Sequence, residues 1–266
     1  MSCLKYARRY ILKVVILCGG KGTRLREETE FKPKPMVEIG GRPILWHIMK
    51  LYSSYGYKDF ILCMGYRHQI IRDYFINYRY MNNDITVSLG SDQNIKCHNA
   101  HDEDWNVTLV YTGHETRKGA RLKMIKRYLD DNRFMLTYGD GLSDVNIKEL
   151  VAYHKKEGGV ATFTGVHSIS RFATTEHDES GKIIDWNEKK PLEGYINAGF
   201  FVLENEILDY IDGDVELEEQ PMKRIAREKK LNMYKHNGFW RCMDTYRDYL
   251  VFDELWGNGK APWKVW

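Results

Sequence analysis

Residues 13–20 read KVVILCGG, a short run of apolar and β-branched residues that stops at two glycines. An unbroken apolar run of this length is typical of a strand that is buried on both faces of a parallel sheet. The two glycines predict a tight turn directly after the strand. Ligands of open parallel sheets bind beyond the carboxyl ends of the strands, so this turn is the first candidate for a functional site.

Strand and helix signals alternate along the rest of the first half of the chain. The predicted elements there are helices at 43–54, 68–80 and 122–130, and strands at 60–64, 85–89, 107–111 and 134–138. Beyond residue 160 the strands look more antiparallel, at 160–166, 182–186 and 198–203, and helices are predicted at 204–211 and 221–228. This order predicts the α/β class: a doubly wound, mixed but mostly parallel sheet with a small antiparallel lobe.

Length and composition favour one main body. A chain of 266 residues with 43% hydrophobic content can build one substantial core. The first twelve residues are basic and aromatic, and they lack the long apolar stretch of a signal peptide. We therefore expect an N-terminal extension at residues 1–12 and a single domain at residues 13–266.

Charge and cysteine usage argue against several classes of function. Lys and Arg number 40 against 37 Asp and Glu, and a net charge of +3 is too small to indicate a nucleic-acid partner. The five cysteines are widely spaced and form no CxxC pair, which favours reduced thiols over disulfides or a zinc site. No apolar run is long enough to span a membrane. We therefore expect a cytoplasmic protein with neither a nucleic-acid nor a membrane partner.

The glycine turn continues into a cationic segment. Residues 19–25 read GGKGTRL and residues 33–36 read PKPM. Glycines let backbone N–H groups approach phosphate oxygens, and Arg24 and Lys34 offer charge-assisted contacts. Neither the dinucleotide fingerprint GxGxxG nor the P-loop GxxxxGK[ST] is present. For the glycines alone, an ordinary turn is as good an interpretation as a phosphate site; the whole segment is more specific.

Two aspartates are candidates for a metal site. Asp140 follows an apolar strand and lies between two glycines, and Asp244 lies a hundred residues later in the segment WRCMDT. Magnesium commonly takes one or two carboxylates and completes its shell with substrate phosphates and water. From the residues alone, a turn residue at Asp140 and a helix N-cap at Asp244 are equally good interpretations.

The pair GGKGTRL and PKPM resembles the signature of the sugar-1-phosphate nucleotidyltransferases. Further segments resemble one branch of that family, the glucose-1-phosphate cytidylyltransferases; they are residues 37–49, 105–110, 137–141, 239–245 and 255–266. The resemblance covers nearly all of the chain after Leu12. It implies a Rossmann-like nucleotidyltransferase fold and the transfer of a cytidylyl group from CTP to a sugar 1-phosphate, with release of pyrophosphate.

The resemblance also implies roles for particular residues. It places Gly19, Gly20, Gly22, Thr23 and Arg121 on the nucleotide, and the catalytic cations Arg24 and Lys34 on the phosphates. It makes Asp140 and Asp244 the ligands of Mg²⁺. It assigns sugar-phosphate binding to Glu188, Lys189 and Asn197. It further implies a homo-oligomer, in which the tryptophans of the C-terminal tail are candidates for the subunit interface.

Some positions depart from the family pattern and leave alternatives open. Ala173, Lys190 and Ala198 stand where the resembling enzymes have glycine, proline and glycine, and all three fall in the expected sugar pocket. Changes of this size alter discrimination between substrates by roughly 1–3 kcal/mol. A cytidylyltransferase with another sugar phosphate or a non-sugar phosphate as acceptor is therefore the first alternative. The second is a non-catalytic homologue that binds nucleotide, against which the four residues Arg24, Lys34, Asp140 and Asp244 argue.

Overall fold

The computed structural model describes residues 12–22, 25, 29–90, 94–98, 103–129, 132–168, 173–188 and 194–266. Three of the predicted site residues, Thr23, Arg24 and Lys189, lie outside these ranges, as does most of the predicted N-terminal extension. Among the described residues, no helix has the length and apolar character that a membrane span requires.

The strands are numbered here in chain order. They are β1 (Val14–Cys18), β2 (Glu38–Ile39), β3 (Arg42–Pro43), β4 (Asp59–Met64), β5 (Asp84–Ser88), β6 (Asn94–His98), β7 (Asn106–Tyr111), β8 (Arg133–Tyr138), β9 (Gly141–Ser143), β10 (Ala161–Val166), β11 (Thr174–His177), β12 (Ile183–Asn187), β13 (Ile196–Glu204), β14 (Leu231–His236) and β15 (Trp240–Cys242). The α-helices are α1 (Ile44–Ser54), α2 (His68–Ile76), α3 (Tyr78–Met81), α4 (Lys118–Met124), α5 (Ile147–Glu157), α6 (Gln220–Arg227) and α7 (Tyr246–Gly257).

Seven strands form the central sheet, in the order β14-β10-β13-β8-β1-β4-β7. The pairs β1–β4, β1–β8, β4–β7 and β10–β14 are parallel, and β13 runs antiparallel to both of its neighbours. The predicted mixed, mostly parallel sheet is therefore confirmed. From β1 the chain builds one side of the sheet with β4 and β7, and then returns to the other side of β1 with β8. The carboxyl ends of β1 and β8 thus meet at the point where the strand order reverses, which is where such sheets bind ligands.

The two faces of the sheet are covered by separate apolar clusters, and β1 supplies both. Val14, Ile16 and Cys18 pack into one cluster, whereas Val15 and Leu17 pack into the other. Because successive side chains of a strand point to opposite faces, burial on both faces requires the unbroken apolar run. Complete burial of each valine, leucine or isoleucine side chain contributes about 1.5–3 kcal/mol.

Small antiparallel pairs lie outside the central sheet. β11 pairs with β12, β5 with β6, and β9 with β15. The β11–β12 hairpin belongs to the region where the sequence predicts an antiparallel lobe.

Several predicted boundaries are wrong. The helix predicted at 68–80 is interrupted at Asn77, the helix predicted at 122–130 begins earlier, at Lys118, and ends at Met124, and the segment predicted as a helix at 204–211 is a 3₁₀ helix at Asn205–Tyr210. Arg121 therefore lies inside α4. The long helices α5 and α7 and the strands β14 and β15 have no counterpart in the sequence prediction.

The C-terminal tail packs back on the chain. Trp263 is fully buried, and together with Trp256 and Trp266 it surrounds the ring of His47 in α1. The tail tryptophans thus pack within the chain, and a role for them in a subunit interface stays a prediction.

Candidate functional site

A cleft of about 530 Å³ lies at the carboxyl ends of β1 and β8, where the strand order reverses. Its lining comes from the end of β1 and the loop after it, from the PKPM segment, from α4 and the loop leading into it, from the end of β8, from Asn197 and from the segment before α6. The residues are Leu17, Cys18, Gly19, Gly20, Gly22, Lys34, Pro35, Thr116, Arg117, Lys118, Arg121, Tyr138, Gly139, Asp140, Asn197, Glu216 and Glu218. The two glycine-bearing loops, after β1 and after β8, both face this cleft.

Arg121 lies beneath the glycine loop and joins the ends of three strands. Its Nη1 donates to the carbonyl oxygens of Met64 and Gly113 and to the Thr112 hydroxyl, at 3.3, 2.9 and 2.7 Å, and its Nη2 donates to the Gly19 carbonyl at 3.4 Å. The residue is only 4% exposed. Since these acceptors lie at the end of β4 and in the loops after β1 and β7, Arg121 fixes the position of the glycine loop as well as lining the cleft.

Glycine is required where these loops approach one another. A Cβ on Gly19 would lie 2.2 Å from the Arg121 guanidinium carbon, and a Cβ on Gly65 would lie 2.6 Å from the Gly19 carbonyl oxygen. Gly22 has a left-handed backbone with φ of +65°. The loop that the sequence assigns to phosphate binding is thus closely packed on its inner side, while Gly20 is exposed on the outer side.

Lys34, Asp140 and Asp244 meet at one end of the cleft. The Lys34 ammonium nitrogen is 2.7 Å from Asp140 Oδ2 and 2.7 Å from Asp244 Oδ1. Burial works to lower the pKa of Lys34, but the charges and hydrogen bonds of Asp140 and Asp244 outweigh it and hold the pKa above the ordinary lysine value. The lysine is therefore a fixed positive charge beside two carboxylates.

The backbone explains how these three distant residues come together. The Gly139 N–H donates to the Leu17 carbonyl at 3.1 Å, and the Met243 N–H donates to the Asp140 carbonyl at 2.8 Å. A Cβ on Gly139 would lie 2.9 Å from Pro35 Cγ, so glycine at this position lets the end of β8 pack directly on the PKPM segment.

Asp244 is supported by the start of helix α7. Thr245 caps the helix and forms a capping box with Asp248, whose Oδ2 also accepts from the Asp244 backbone N–H at 3.2 Å. Burial works to raise the pKa of Asp248, but hydrogen bonds from Thr245 and Arg241 outweigh it and lower the pKa. An ionised carboxylate thus fixes the backbone that carries Asp244.

The donor set at this end of the cleft fits a divalent cation of the magnesium type. Asp140 Oδ2 and Asp244 Oδ1 each lie 2.7 Å from the Lys34 ammonium nitrogen, so the two carboxylates are close enough together to bind one cation. Among the residues that the structure describes, no group of three or more His, Cys, Asp or Glu side chains forms a complete metal cage. Two carboxylates without a cage suit Mg²⁺, which keeps water and substrate phosphates as its other ligands.

The three residues predicted to bind the sugar phosphate differ in where the structure places them. Asn197 at the start of β13 lines the cleft, and the carbonyl of the next residue, Ala198, accepts from Trp240 Nε1 at 2.8 Å. Glu188 lies exposed in the turn after β12 and is not among the described residues that line the cleft. Lys189 falls outside the described ranges.

Three lining residues are assigned no role by any sequence motif. Lys118, Tyr138 and Glu218 contact one another in the wall of the cleft, although they come from α4, β8 and the segment before α6. Tyr138 lies in the family-like segment 137–141, but no motif gives it, Lys118 or Glu218 a role in the site, so only the tertiary structure identifies their contacts.

Comparisons with known proteins agree with this architecture. The family model described as "Nucleotidyl transferase" matches residues 13–245. The chain is 46% identical over 258 residues to a glucose-1-phosphate cytidylyltransferase of Salmonella typhi, which covers 96% of this chain and 100% of that protein. It is 42% identical over 259 residues to a probable glucose-1-phosphate cytidylyltransferase of Bacillus subtilis, with 96% and 100% coverage.

Solved structures support the fold at low sequence identity. The crystal structure of HddC from Yersinia pseudotuberculosis superimposes with a TM-score of 0.67 at 21% identity, covering 92% of this chain and 99% of that one. The inositol-1-phosphate CTP transferase from T. maritima gives a TM-score of 0.64 at 13% identity, with 92% and 96% coverage.

Proposed function

Because the chain belongs to the nucleotidyl transferase family, we propose that it transfers the cytidylyl group of CTP to glucose 1-phosphate, giving CDP-glucose and pyrophosphate. The observation that carries this proposal is the meeting of Lys34, Asp140 and Asp244 in the cleft at the strand reversal. The choice of CTP and glucose 1-phosphate is supported by the names of the relatives from Salmonella typhi and Bacillus subtilis.

The reaction needs positioning and charge neutralisation more than proton transfer. A phosphate oxygen of glucose 1-phosphate attacks the α-phosphorus of CTP; one P–O bond forms, and the bond from the α-phosphorus to the bridging oxygen breaks as pyrophosphate leaves. The attacking oxygen already carries negative charge, so no general base is required.

The chain supplies the binding groups in two regions. The backbone of Gly19, Gly20 and Gly22 surrounds the phosphates, with Thr23 and Arg24 expected beside it. Lys34 places a fixed positive charge next to the reacting phosphate, which stabilises the charge that develops there.

Asp140 and Asp244 are the residues that would hold a divalent ion, which we infer to be Mg²⁺. When bound, such an ion neutralises phosphate charge and orients the triphosphate. On the acceptor side, Asn197 contacts the sugar, and Glu188 and Lys189 complete the acceptor site on the evidence of the motif. A cytoplasmic homo-oligomer remains our expectation for the assembled enzyme.

The first experiment measures pyrophosphate release with Mg²⁺, glucose 1-phosphate and each of CTP, UTP, dTTP, ATP and GTP in turn. We expect rapid release with CTP alone. Release with another nucleotide would reassign the donor. If CTP binds but no release occurs, a panel of other sugar phosphates and inositol 1-phosphate tests the acceptor, and activity with one of these would overturn glucose 1-phosphate.

Variants then test the site. Asp140→Asn and Asp244→Asn should each lower turnover roughly a hundredfold or more, because each removes charge from the proposed ion site. Asp212→Asn is the matched control, since Asp212 is an exposed carboxylate paired with Arg224. Near-normal rates in both site variants, with control and wild type equal, would exclude the assigned roles.

A further inference from the structure

A chain of four polar side chains crosses the wall of the cleft from α4 to β13. The Lys118 ammonium donates to Glu218 Oε1 at 2.5 Å, and the Tyr138 hydroxyl donates to the same oxygen. Asn197 Nδ2 in turn donates to the Tyr138 hydroxyl oxygen at 3.2 Å. These residues lie as far as 100 positions apart in sequence, and all four line the cleft.

The direction of each hydrogen bond in this chain is fixed by Glu218. A carboxylate can only accept a hydrogen bond, so the Tyr138 hydroxyl donates its single proton to Glu218. Toward Asn197, the Tyr138 hydroxyl oxygen can therefore only accept. Asn197 must therefore present its NH₂ group to Tyr138. The Gly199 N–H fixes the other end of the amide by donating to Asn197 Oδ1 at 2.9 Å. If the amide were flipped, its NH₂ group would face the Gly199 N–H, which is also a donor. Its oxygen would face the Tyr138 hydroxyl oxygen, which can only accept.

The backbone of β13 is built around this arrangement. The pairing of β10 with β13 shifts register between Phe163 and Gly165, where two steps along β10 match four steps along β13, so the bulge lies within residues 197–201 of β13. Gly199 has a φ of +79°, and a Cβ there would lie 3.0 Å from Tyr138 Cδ2. Bulges beside a functional site commonly redirect a side chain. Here the bulge brings the Gly199 N–H onto the Asn197 amide while leaving room for the Tyr138 ring.

Building on the proposed function, we propose that Glu218 is a positioning residue that fixes, through Tyr138, the amide of Asn197 so that its second N–H is presented to an oxygen of the sugar phosphate. Glu218 itself need not touch the substrate. Lys118 adds a second effect, because it contacts both Glu218 and the Tyr138 ring, with its ammonium 5.2 Å from the ring centroid. The orientation of the Asn197 amide is thereby linked to Lys118 at the start of helix α4.

Kinetics of Glu218→Gln test the proposal. A glutamine side chain can donate to Tyr138, which frees the tyrosine proton and removes the constraint on Asn197. We expect the KM for glucose 1-phosphate to rise about tenfold, with the KM for CTP changed less than about twofold. Tyr138→Phe should give the same pattern. Glu219→Gln, at the next and exposed position, is the matched control and should behave as wild type.

A double variant separates positioning from a general structural role. If Glu218 acts through Asn197, then Glu218→Gln added to Asn197→Ala should raise the KM for glucose 1-phosphate no further, because the affected group is already gone. Additive effects would overturn the proposal.

A spectroscopic readout makes the result independent of the proposed activity. The side-chain NH₂ signals of Asn197, identified by their loss in Asn197→Ala, should shift in Glu218→Gln and Tyr138→Phe but not in Glu219→Gln. Unchanged signals in the first two variants would overturn the positioning role even in a fully active enzyme. If the wild type were inactive with CTP and glucose 1-phosphate, the proposed function would fail, and these signals would still decide the role of Glu218.

Discussion

At the scale of single residues, Gly19 and Gly20 are neighbours with different reasons to be glycine. A Cβ on Gly19 would overlap the guanidinium of Arg121, whereas a Cβ on Gly20 would meet no atom of the described residues within 4 Å. Arg121 cannot move away cheaply, because it is buried and donates to four oxygens. Glycine at position 19 is thus required for packing against Arg121, whereas no contact with the described residues requires glycine at position 20.

We therefore predict that Gly19→Ala is destabilising. Displacing the guanidinium leaves buried polar groups unpaired, which costs about 3 kcal/mol and lowers the thermal midpoint by roughly 6–12 °C. The measurement is thermal unfolding without nucleotide. Gly20→Ala is the control and should change stability by less than about 0.5 kcal/mol. Equal midpoints for the two variants would contradict the packing role of Arg121.

The site residues also differ in how far the sequence predicts them. The glycine loop, Lys34, Asp140 and Asp244 are found from their motifs, because phosphate and metal chemistry restricts the residue types that serve there. Tyr138 and Glu218 carry no such restriction, and their contact joins positions 80 residues apart. Only the arrangement of the strands, which places the end of β8 against the segment before α6, brings them together.

At the scale of elements, the start of helix α7 connects stability with the site. The Thr245 hydroxyl accepts from the Asp248 N–H at 3.3 Å and donates to Asp248 Oδ2 at 2.8 Å. The same carboxylate oxygen accepts from the Asp244 N–H. A change in the cap must therefore move the backbone of a proposed metal ligand.

Thr245→Val tests this connection. Loss of the hydroxyl should lower the free energy of unfolding by about 1 kcal/mol and reduce turnover by roughly tenfold, because small displacements of a positioned group lower the rate steeply. Thr245→Ser retains the hydroxyl and should restore both properties. A destabilised Thr245→Val enzyme with normal turnover would show that the cap and Asp244 are uncoupled.

Elements were predictable where packing leaves a simple pattern. β1, β4 and β8 are apolar runs because both faces of the sheet are covered. Helix α5 is harder to recognise from the sequence, because a histidine, His154, lies on its buried face and two lysines, Lys155 and Lys156, follow directly. β14 reads LNMYKH and is only partly buried, so neither an apolar run nor a clean alternation marks it. Tertiary contacts determine such elements more than local pattern does.

At the scale of the whole molecule, the C-terminal tail packs against helix α1 around one histidine, His47. His47 Nε2 lies 3.0 Å from the Ile39 carbonyl, and Trp263 Nε1 donates to His47 Nδ1 at 3.4 Å. Nε2 must then carry the proton and Nδ1 must accept. Protonation of Nδ1 would set two donors against each other, so the contact between residues 216 positions apart requires neutral His47.

This requirement predicts stability that depends on pH. Burial, with a smaller effect from the Arg42 charge, lowers the pKa of His47 from 6.5 to about 4. As the pH falls, the unfolded chain takes up this proton before the folded one does. The stabilisation is therefore complete above about pH 6.5 and is lost progressively as the pH falls toward 4. Between pH 7 and pH 5, His47 should account for a loss of about 2 kcal/mol.

Urea unfolding of wild type and His47→Gln at both pH values isolates this effect from the other titrating groups. Glutamine keeps an amide donor and acceptor but does not titrate, so the wild type should lose about 2 kcal/mol more than the variant between pH 7 and pH 5. Tryptophan fluorescence should report the same difference, because Trp256, Trp263 and Trp266 all lie against this ring. Equal pH dependence in the two proteins would mean that His47 can be protonated with the tail in place, and that the tail is held by apolar packing alone.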